Sequence, residues 1–200
     1  MPERPFVATP DNAAILLIDV QPFFLDGWMA GSADALLTRI EYLLAIANRH
    51  RLPVLATFEQ PTAEKGWLPE RLERRFPADG RRFTKDTFDC CNEESIREAI
   101  AGLDRECLIV AGGETDVCVL QSVLGVLALG KRVMLLEDAI FSSEPHVGPA
   151  VRRMAAAGVI PATVKSLEYE LRLSVSAGGT HRHLAGLPEP EKLPEWMPVL

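Results

Sequence analysis

Three side chains that could carry acid–base and nucleophilic chemistry follow three separate apolar runs of the 200-residue chain. Asp19 ends a strong apolar run, Lys85 follows a weaker one, and Cys118 lies a few residues beyond a third. In an open parallel sheet, ligands bind just past the carboxyl ends of the strands. With the strand order 3-2-1-4-5-6, Asp19 and Cys118 face each other across the central crevice, and Lys85 approaches from the side of strand three.

Cys118 has the residue type and the position of a reactive nucleophile. Thr115 is a suitable N-cap for the helix that follows the 112–113 turn, which puts Cys118 near the third helical position. The helix dipole favours an anion there, and a nearby lysine lowers the pKa of a thiol below its ordinary value of about 8.5. Backbone N–H groups at the same helix end could hold an oxyanion. The alternative is that Cys118 is a small apolar side chain packed against the sheet.

Asp19 and Lys85 each have a simpler interpretation. A carboxylate after a buried strand can cap a turn or form a structural ion pair with Lys85. A lysine taken alone is in most proteins a solvated surface residue, so the interest of Lys85 depends on the other two residues. An acidic residue that ends an otherwise apolar strand, at the edge where ligands bind, nevertheless favours a functional role for Asp19.

The elements that must position these side chains alternate between short apolar runs and amphipathic stretches, a rhythm typical of a parallel α/β sheet. The first run shows no polar alternation, as expected for a central strand with helices on both faces. The runs predict six strands, over residues 13–18, 53–57, 82–84, 107–111, 132–136 and 159–164. Helical patterns lie between them, over residues 36–47 (with Ser32 as a suitable cap), 68–75, 93–101, 116–129, 146–157 and 167–173.

Composition limits the classes of protein and partner. The chain is 48% hydrophobic and 24% charged, as in an ordinary globular protein, and its formal net charge is −7. An acidic chain without a basic run is a poor candidate for nucleic-acid binding. No apolar stretch approaches the roughly 18 residues of a membrane span, and no secretory leader is visible. We therefore expect no membrane association, a cytoplasmic location and four free cysteine thiols.

The pattern of prolines divides the chain into two parts. We expect one domain over residues 1–185 and a proline-rich C-terminal arm over residues 186–200. The apolar side chains of the arm would pack on the domain or on a neighbouring subunit. His181 and His183 have the spacing of a metal-binding pair in a strand, but they lie among Gly and Thr, so a solvated loop is the favoured interpretation.

Three ordered motifs make a family resemblance specific: DVQxxF from Asp19, KDTF from Lys85 and GGETDVCV from Gly112. Together they resemble the isochorismatase-like cysteine hydrolases, the superfamily that includes nicotinamidase and N-carbamoylsarcosine amidase. Two later stretches are similar to the same family: residues 130–143, which run from GKRV to SS, and residues 154–158. The resemblance covers roughly residues 11–173.

The resemblance implies a three-layer α/β/α fold with a doubly wound, mainly parallel six-stranded sheet of order 3-2-1-4-5-6. It also implies a catalytic triad in which Cys118 is the nucleophile, Asp19 the proton acceptor and donor, and Lys85 its electrostatic partner. The family commonly has a non-proline cis peptide bond that maps here to Gly113–Glu114. The backbone amides of Glu114 and Cys118 would form the oxyanion hole. A homo-oligomer, a dimer or larger, is the usual assembly.

The activity implied is that of a metal-independent hydrolase without a cofactor. It would cleave the C–N bond of a small amide, carbamoyl or ureido compound through a thioester intermediate. Nicotinamidases of the family carry a metal site of an Asp and several His after the second strand, and residues 57–62 contain no such set. Glu114 adds a negative charge beside the nucleophile, and this charge either disfavours an anionic substrate or points to solvent.

Five further residues are candidates for contact with the small-molecule substrate. Glu59 and Gln60 end the second strand, and three more follow Asp19 in sequence: Gln21, Phe24 and Trp28. The aromatic residues could wall an apolar pocket, or they could equally belong to the core or to a subunit contact.

Two other functions remain open at this point. One is a catalytically silent family member that binds a small molecule or a partner protein. The other is an isochorismatase-type ether hydrolase, which acts on a vinyl ether and typically lacks the cysteine. Substitution Cys118→Ala separates the three hypotheses. It should abolish turnover in a thiol hydrolase, change nothing measurable in a silent protein, and leave an ether hydrolase active.

Overall fold

The computed structural model of the protein describes residues 6–173. The arm over residues 186–200, the domain boundary at residue 185, and His181 with His183 lie outside the described residues. Those predictions therefore stay predictions.

The described part of the chain is built around one six-stranded sheet in which every neighbouring pair of strands is parallel. The strand order is β3-β2-β1-β4-β5-β6, which confirms the predicted doubly wound topology. The strands are β1 (Ala13–Ile18), β2 (Val54–Glu59), β3 (Arg81–Lys85), β4 (Cys107–Gly113), β5 (Arg132–Phe141) and β6 (Ile160–Ala162).

Helices cover both faces of the sheet. They are α1 (Pro22–Gly27), α2 (Ala33–His50), α3 (Thr62–Lys65), α4 (Glu70–Glu73), α5 (Glu94–Ala101), α6 (Leu120–Ala128), α7 (Gly148–Ala156) and α8 (Val164–Arg172). A 3₁₀ turn spans Cys90–Asn92, and a π-helical turn over Thr115–Val119 leads directly into α6. Ser32 caps α2 as predicted, because its side chain accepts a hydrogen bond from the Ala35 N–H.

Alternate residues of β1 face two separate apolar layers. Ile15 and Leu17 belong to one cluster together with residues of α2 and α8. Leu16 and Ile18 belong to a second cluster together with residues of α5, α6 and α7. A strand that is buried on both faces has no alternation of polar and apolar residues. The uniform apolar run in the sequence therefore indicates that β1 lies in the centre of the sheet. The three-layer α/β/α architecture is confirmed.

Strand β5 is longer than predicted. The pattern predicted an end at Leu136, because the next two residues are Glu137 and Asp138, but the strand continues to Phe141. The Asp138 carboxylate accepts a hydrogen bond from the Val164 N–H and lies 3.4 Å from Arg39 Nε. These partners allow a charged residue to remain in the strand, and they join its end to the start of α8.

Helix α1 was not predicted as an element. Pro22 occupies its first turn, and a proline at that position is a recognised start signal, since its missing N–H has no partner to lose there. The helix is only six residues long, so its periodicity was too short to detect. It places Phe23, Phe24 and Trp28 on and just after one short element close to Asp19.

Candidate active site

The three residues singled out by the motifs meet at the carboxyl edge of the sheet. Lys85 Nζ lies 2.6 Å from Asp19 Oδ2 and 3.5 Å from Cys118 Sγ. All three side chains are buried. The meeting follows from topology, because β1 is the neighbour of both β2 and β4, and β3 lies next to β2. Lys85 Nζ also donates to the Thr87 carbonyl at 3.1 Å, which fixes the ammonium in place.

Asp19 occupies an unusual backbone conformation at the end of β1. Its φ is 48°, in the left-handed region that an aspartate adopts at some cost in energy. Its N–H donates to the Thr57 carbonyl at 3.1 Å, and the Thr57 hydroxyl donates to Asp19 Oδ1 at 2.9 Å. Sequence analysis missed Thr57 as a site residue. Its only signal was a hydroxyl inside an otherwise apolar strand.

The helix end at Cys118 differs from the prediction. Glu114, not Thr115, occupies the N-cap position, and it makes no side-chain capping bond. The Thr115 hydroxyl instead donates to the Phe141 carbonyl at 2.9 Å, which ties the turn to the end of β5. Cys118 is the fourth residue of a π-helical turn that precedes α6. The dipole of a capped α-helix therefore does not act on the Cys118 thiol as predicted.

The acidity of the Cys118 thiol is also opposite to the expectation. Burial raises its pKa above the ordinary value, and the negative charges of Asp19 and Glu59 raise it further, while Lys85 lowers it. Desolvation outweighs the single ammonium, because a thiolate loses its hydration in this buried position. The prediction of a depressed thiol pKa was wrong. A thiol with a raised pKa needs a base before its sulfur can act as a nucleophile.

The pKa shifts of Asp19 and Lys85 suit the transfer of a proton from the Cys118 thiol to the Asp19 carboxylate. Burial raises the pKa of the Asp19 carboxyl, and Lys85 and Thr57 act in the opposite direction. A carboxylate whose pKa is raised binds a proton more readily. Burial alone would lower the pKa of Lys85, but the negative charge of the Asp19 carboxylate and its hydrogen bond with Lys85 act in the opposite direction, so the pKa is raised and Lys85 stays cationic.

A second carboxylate reaches the sulfur. Glu59 ends β2, where its backbone is the sheet partner of Lys85. Its Oε2 lies 3.5 Å from Cys118 Sγ and 3.9 Å from Lys85 Nζ. Its other oxygen, Oε1, is paired with Lys65 Nζ on α3. The structure thus places Glu59, a candidate for substrate contact, directly beside the Cys118 sulfur. Lys65 was not anticipated, since it lies in the excursion between β2 and β3.

The amide side chains of Gln21 and Gln60, two further candidates for substrate contact, bind backbone groups. The Gln21 side chain is fully buried and donates to the carbonyls of Glu59 at 3.1 Å and Gly66 at 2.8 Å. It also accepts the Glu59 N–H at 2.8 Å, so it holds the end of β2 in position. Gln60 Oε1 accepts the Thr62 N–H at 3.1 Å. In this structure both amides serve the backbone of the loop.

The aromatic residues form a cluster on and beside α1. The Phe23 ring stacks on Trp28 at 5.8 Å and meets Phe24 edge to face at 5.3 Å. Lys65 Nζ lies 5.7 Å from the Phe24 ring centroid, which places the cluster next to the Glu59–Lys65 pair. Trp28 remains 59% exposed. Phe24 packs against the core beneath it.

The backbone between β4 and the π-helical turn has the expected features. The Gly113–Glu114 peptide bond is cis, as the resemblance implied. The Glu114 side chain turns onto the neighbouring loop, where Oε1 accepts the Ser143 N–H at 2.9 Å. The negative charge that touches the sulfur therefore belongs to Glu59 and not to Glu114. The oxyanion hole at the Glu114 and Cys118 amides stays a prediction.

Two groups of side chains in the described part of the chain have atoms close enough to share a metal ion. Asp19, Glu59 and Cys118 present ligand atoms within 4.8 Å of one another. The Lys85 ammonium lies within 4 Å of all three, so a cation of the protein itself already contacts every member of that group. The second group is Asp89 with Cys90 and Cys91, which are free thiols like the other two cysteines.

Comparison with known proteins identifies the family and the fold. The isochorismatase domain model matches residues 13–166. The solved YcaC structure from Pseudomonas aeruginosa, described with hexane-2,5-diol and covalent acrylamide, is 27% identical and has a TM-score of 0.80. YcaC from Escherichia coli, described as an octameric hydrolase of unknown specificity, is 25% identical with a TM-score of 0.80. Each of these two likenesses covers 86% of this chain and 86% of the other.

A third solved structure shows how widely the fold is shared. The chain is similar to the MAR1 ribonuclease from Caenorhabditis elegans, with a TM-score of 0.82 and 21% identity, over 94% of this chain and 98% of that one. At that identity the likeness shows the fold alone. The family model, in contrast, spans most of the chain. The protein therefore belongs to the isochorismatase family of hydrolases.

Proposed function

We propose that the protein is a metal-independent cysteine hydrolase that cleaves the C–N bond of a small amide, carbamoyl or ureido compound. The observation that carries this proposal is the contact of Lys85 Nζ with both Asp19 Oδ2 and Cys118 Sγ, at 2.6 and 3.5 Å, in a buried cluster. The burial of titratable groups costs free energy, so a buried cluster of them around a potential nucleophile favours a functional role.

The first chemical step uses Asp19 as a base. Asp19 accepts the proton of the Cys118 thiol while the sulfur forms a bond to the carbonyl carbon of the substrate. The C=O electron pair moves to oxygen, where the backbone amides of Glu114 and Cys118 donate hydrogen bonds. The C–N bond then breaks, and the nitrogen takes the proton from Asp19. Ammonia or an amine leaves, and a thioester remains on Cys118.

The second step regenerates the thiol. A water molecule transfers a proton to Asp19 while its oxygen bonds to the thioester carbon. The C–S bond breaks, the sulfur takes the proton, and the carboxylic acid or carbamate product leaves. Lys85 keeps its proton throughout and stabilises the thiolate that forms transiently. The covalent acrylamide described for YcaC from Pseudomonas aeruginosa supports a reactive nucleophile in that relative, since acrylamide adds to nucleophiles such as thiols through its vinyl group.

The test is a screen of small amides and ureido compounds with ammonia release as the readout, made on the protein and on the Cys118→Ala and Cys118→Ser variants. We expect turnover in the unchanged protein, none in either variant, and an acyl adduct on Cys118 in the intact mass after rapid acid quenching. A metal chelator should leave the rate unchanged. Ammonia release that survives Cys118→Ala would contradict the role of Cys118 as the nucleophile.

We also propose that the protein assembles as a homo-oligomer. Phe23 and Trp28 stack on each other and are 40% and 59% exposed. Exposure of such an aromatic pair to water is unfavourable. The relative YcaC from Escherichia coli is described as octameric. Size-exclusion chromatography with light scattering should give a mass that is a multiple of the chain mass. A monomer at micromolar concentration would contradict this part of the proposal.

A further inference from the structure

Two carboxylates, those of Asp19 and Glu59, lie beside the sulfur of Cys118, and each is paired with a lysine. Lys85 Nζ is closer to Asp19, at 2.6 Å, than to Glu59, at 3.9 Å. Lys85 is therefore mainly the partner of Asp19, and the Glu59 oxygen that faces the sulfur lies beyond hydrogen-bond distance of Lys85 Nζ.

Glu59 is held in this position from several directions. Gln21 binds both the N–H and the carbonyl of Glu59, and Gln21 is itself fully buried. Lys65 pairs with Oε1 and leaves Oε2 directed at Cys118 Sγ. The site therefore presents a fixed negative oxygen beside its nucleophile.

This oxygen loses its partner during the proposed reaction. In the resting protein the Cys118 thiol donates to Glu59 Oε2 at 3.5 Å. Once Asp19 has taken the thiol proton, Oε2 faces a sulfur that has no hydrogen to donate, and a partly buried acceptor without a donor is unfavourable. A substrate carbonyl carbon must come within about 3–3.5 Å of the sulfur before the bond forms. The group attached to that carbon then lies within reach of Oε2.

We propose, building on the cysteine hydrolase function above, that Glu59 selects the acyl part of the substrate. It favours acyl groups that bring an N–H donor next to the carbonyl carbon, as ureido compounds and aminoacyl amides do. It rejects acyl groups that carry a carboxylate at the same place, because that carboxylate would face Oε2 at contact distance.

Two alkylating reagents of nearly equal size test this selection without knowledge of the substrate. Iodoacetamide carries an N–H donor and iodoacetate a carboxylate, and both form an S–C bond with loss of iodide. The rate of each at Cys118 is measured by peptide mass spectrometry and divided by its rate with N-acetylcysteine. We expect iodoacetamide to be preferred by at least about tenfold, the size of effect that a unit charge at this distance produces.

Three variants separate charge from other effects. Glu59→Gln should remove most of the preference, and Glu59→Asp, which keeps the charge, should retain most of it. Glu64→Gln is the matched control, since Glu64 is an exposed residue of α3 in the same loop, and it should leave the preference unchanged. Thermal unfolding of each variant verifies that it is folded.

The outcomes distinguish this inference from the proposed function. Labelling of Cys118 at equal normalised rates by both reagents, or the same preference in Glu59→Gln as in the unchanged protein, would overturn the selection by Glu59 and leave the hydrolase proposal standing. Failure of both reagents to label Cys118 would overturn the assignment of the nucleophile, and the selection with it.

Discussion

The Lys85 ammonium lies 2.6 Å from the Asp19 carboxylate, and the exposed fraction of each residue is 1%. Because both residues are buried, solvent cannot replace either partner of the ion pair. Their separation from solvent makes the attraction strong, but it also makes each charge expensive on its own. The pair therefore links the stability of the sheet edge to the chemistry proposed there.

Removal of either charge should destabilise the protein. We expect Lys85→Met to lower the free energy of unfolding by about 3–5 kcal/mol, because it leaves the Asp19 carboxylate buried without its cation. The double variant Asp19→Asn with Lys85→Met should lose less than the sum of the two single losses. Urea unfolding measures all of these values.

The control for this ion pair lies on the surface. Arg82 and Glu73 pair at 2.6 Å with 36% and 50% of their side chains exposed. Arg82→Met should cost less than about 1 kcal/mol, because solvent screens such a pair. A loss for Lys85→Met that is no larger than the loss for Arg82→Met would show that the buried pair does not stabilise the fold.

The Thr57 hydroxyl should control the pH at which Asp19 can act as a base. Its hydrogen bond to Oδ1 favours the ionised carboxyl and lowers the pKa, against the effect of burial. Thr57→Val removes that bond, so the pKa of Asp19 should rise, by about one unit for a bond to a charged group. The acid limb of the rate profile, for hydrolysis or for Cys118 alkylation, should move to higher pH by this amount.

A second buried threonine serves as the matched control. The Thr38 hydroxyl donates to the Asp34 carbonyl in α2, remote from the motif residues in sequence and in fold. Thr38→Val should lower stability but leave the acid limb where it is. An acid limb that stays in place in Thr57→Val would show that Asp19 is not the group that limits the reaction at low pH.

Much of the fold could be predicted from the sequence, because its strands are buried on both faces. The run at Ala13–Ile18 has the predicted bounds, the alternation of strands and helices indicated a parallel α/β sheet, and the strand order that the family resemblance implied is the observed one. Asp19, Lys85 and Cys118 meet because each lies at or beyond the carboxyl end of a strand in that order. Residues near strand ends are positioned by topology, so sequence reasoning can bring them together.

The features that sequence analysis missed depend on contacts that no local pattern encodes. The place of Glu59 beside the sulfur depends on β2 running two residues past its predicted end and on Gln21 and Lys65 holding it there. The acidity of Cys118 was predicted from a helix end and a nearby lysine. Burial decides it instead, and burial is a property of the whole packed site.

The resting thiol of Cys118 should be protonated at neutral pH. Its pKa is raised above an ordinary thiol value of about 8.5, so the thiolate should be absent at pH 7 and at pH 8.5. Absorbance at 240 nm, titrated in the protein and in Cys118→Ser, gives the thiolate contribution of this residue by difference. A difference that develops below pH 8 would contradict the raised pKa and restore the hypothesis of a preformed thiolate.

The close approach of β1 and β4 should depend on a glycine. Gly112 has φ of 114°, and a Cβ there would lie 2.0 Å from the Ile18 carbonyl oxygen. We expect Gly112→Ala to cost more than about 3 kcal/mol in urea unfolding, since it combines backbone strain with a steric clash that separates the two strands. Because Ile18 precedes Asp19 and Gly112 leads to Cys118, the alkylation rate of Cys118 should change as well.

A second glycine with a positive φ, but with open space around it, separates backbone strain from steric clash. Gly130 has φ of 77°, and a Cβ there would meet no atom within 4 Å. Gly130→Ala should therefore cost only the backbone strain of about 1–2 kcal/mol and leave Cys118 alkylation unchanged. If both alanine variants lose equal stability, strain alone explains the loss, and the contact of Gly112 with Ile18 does not set the distance between β1 and β4.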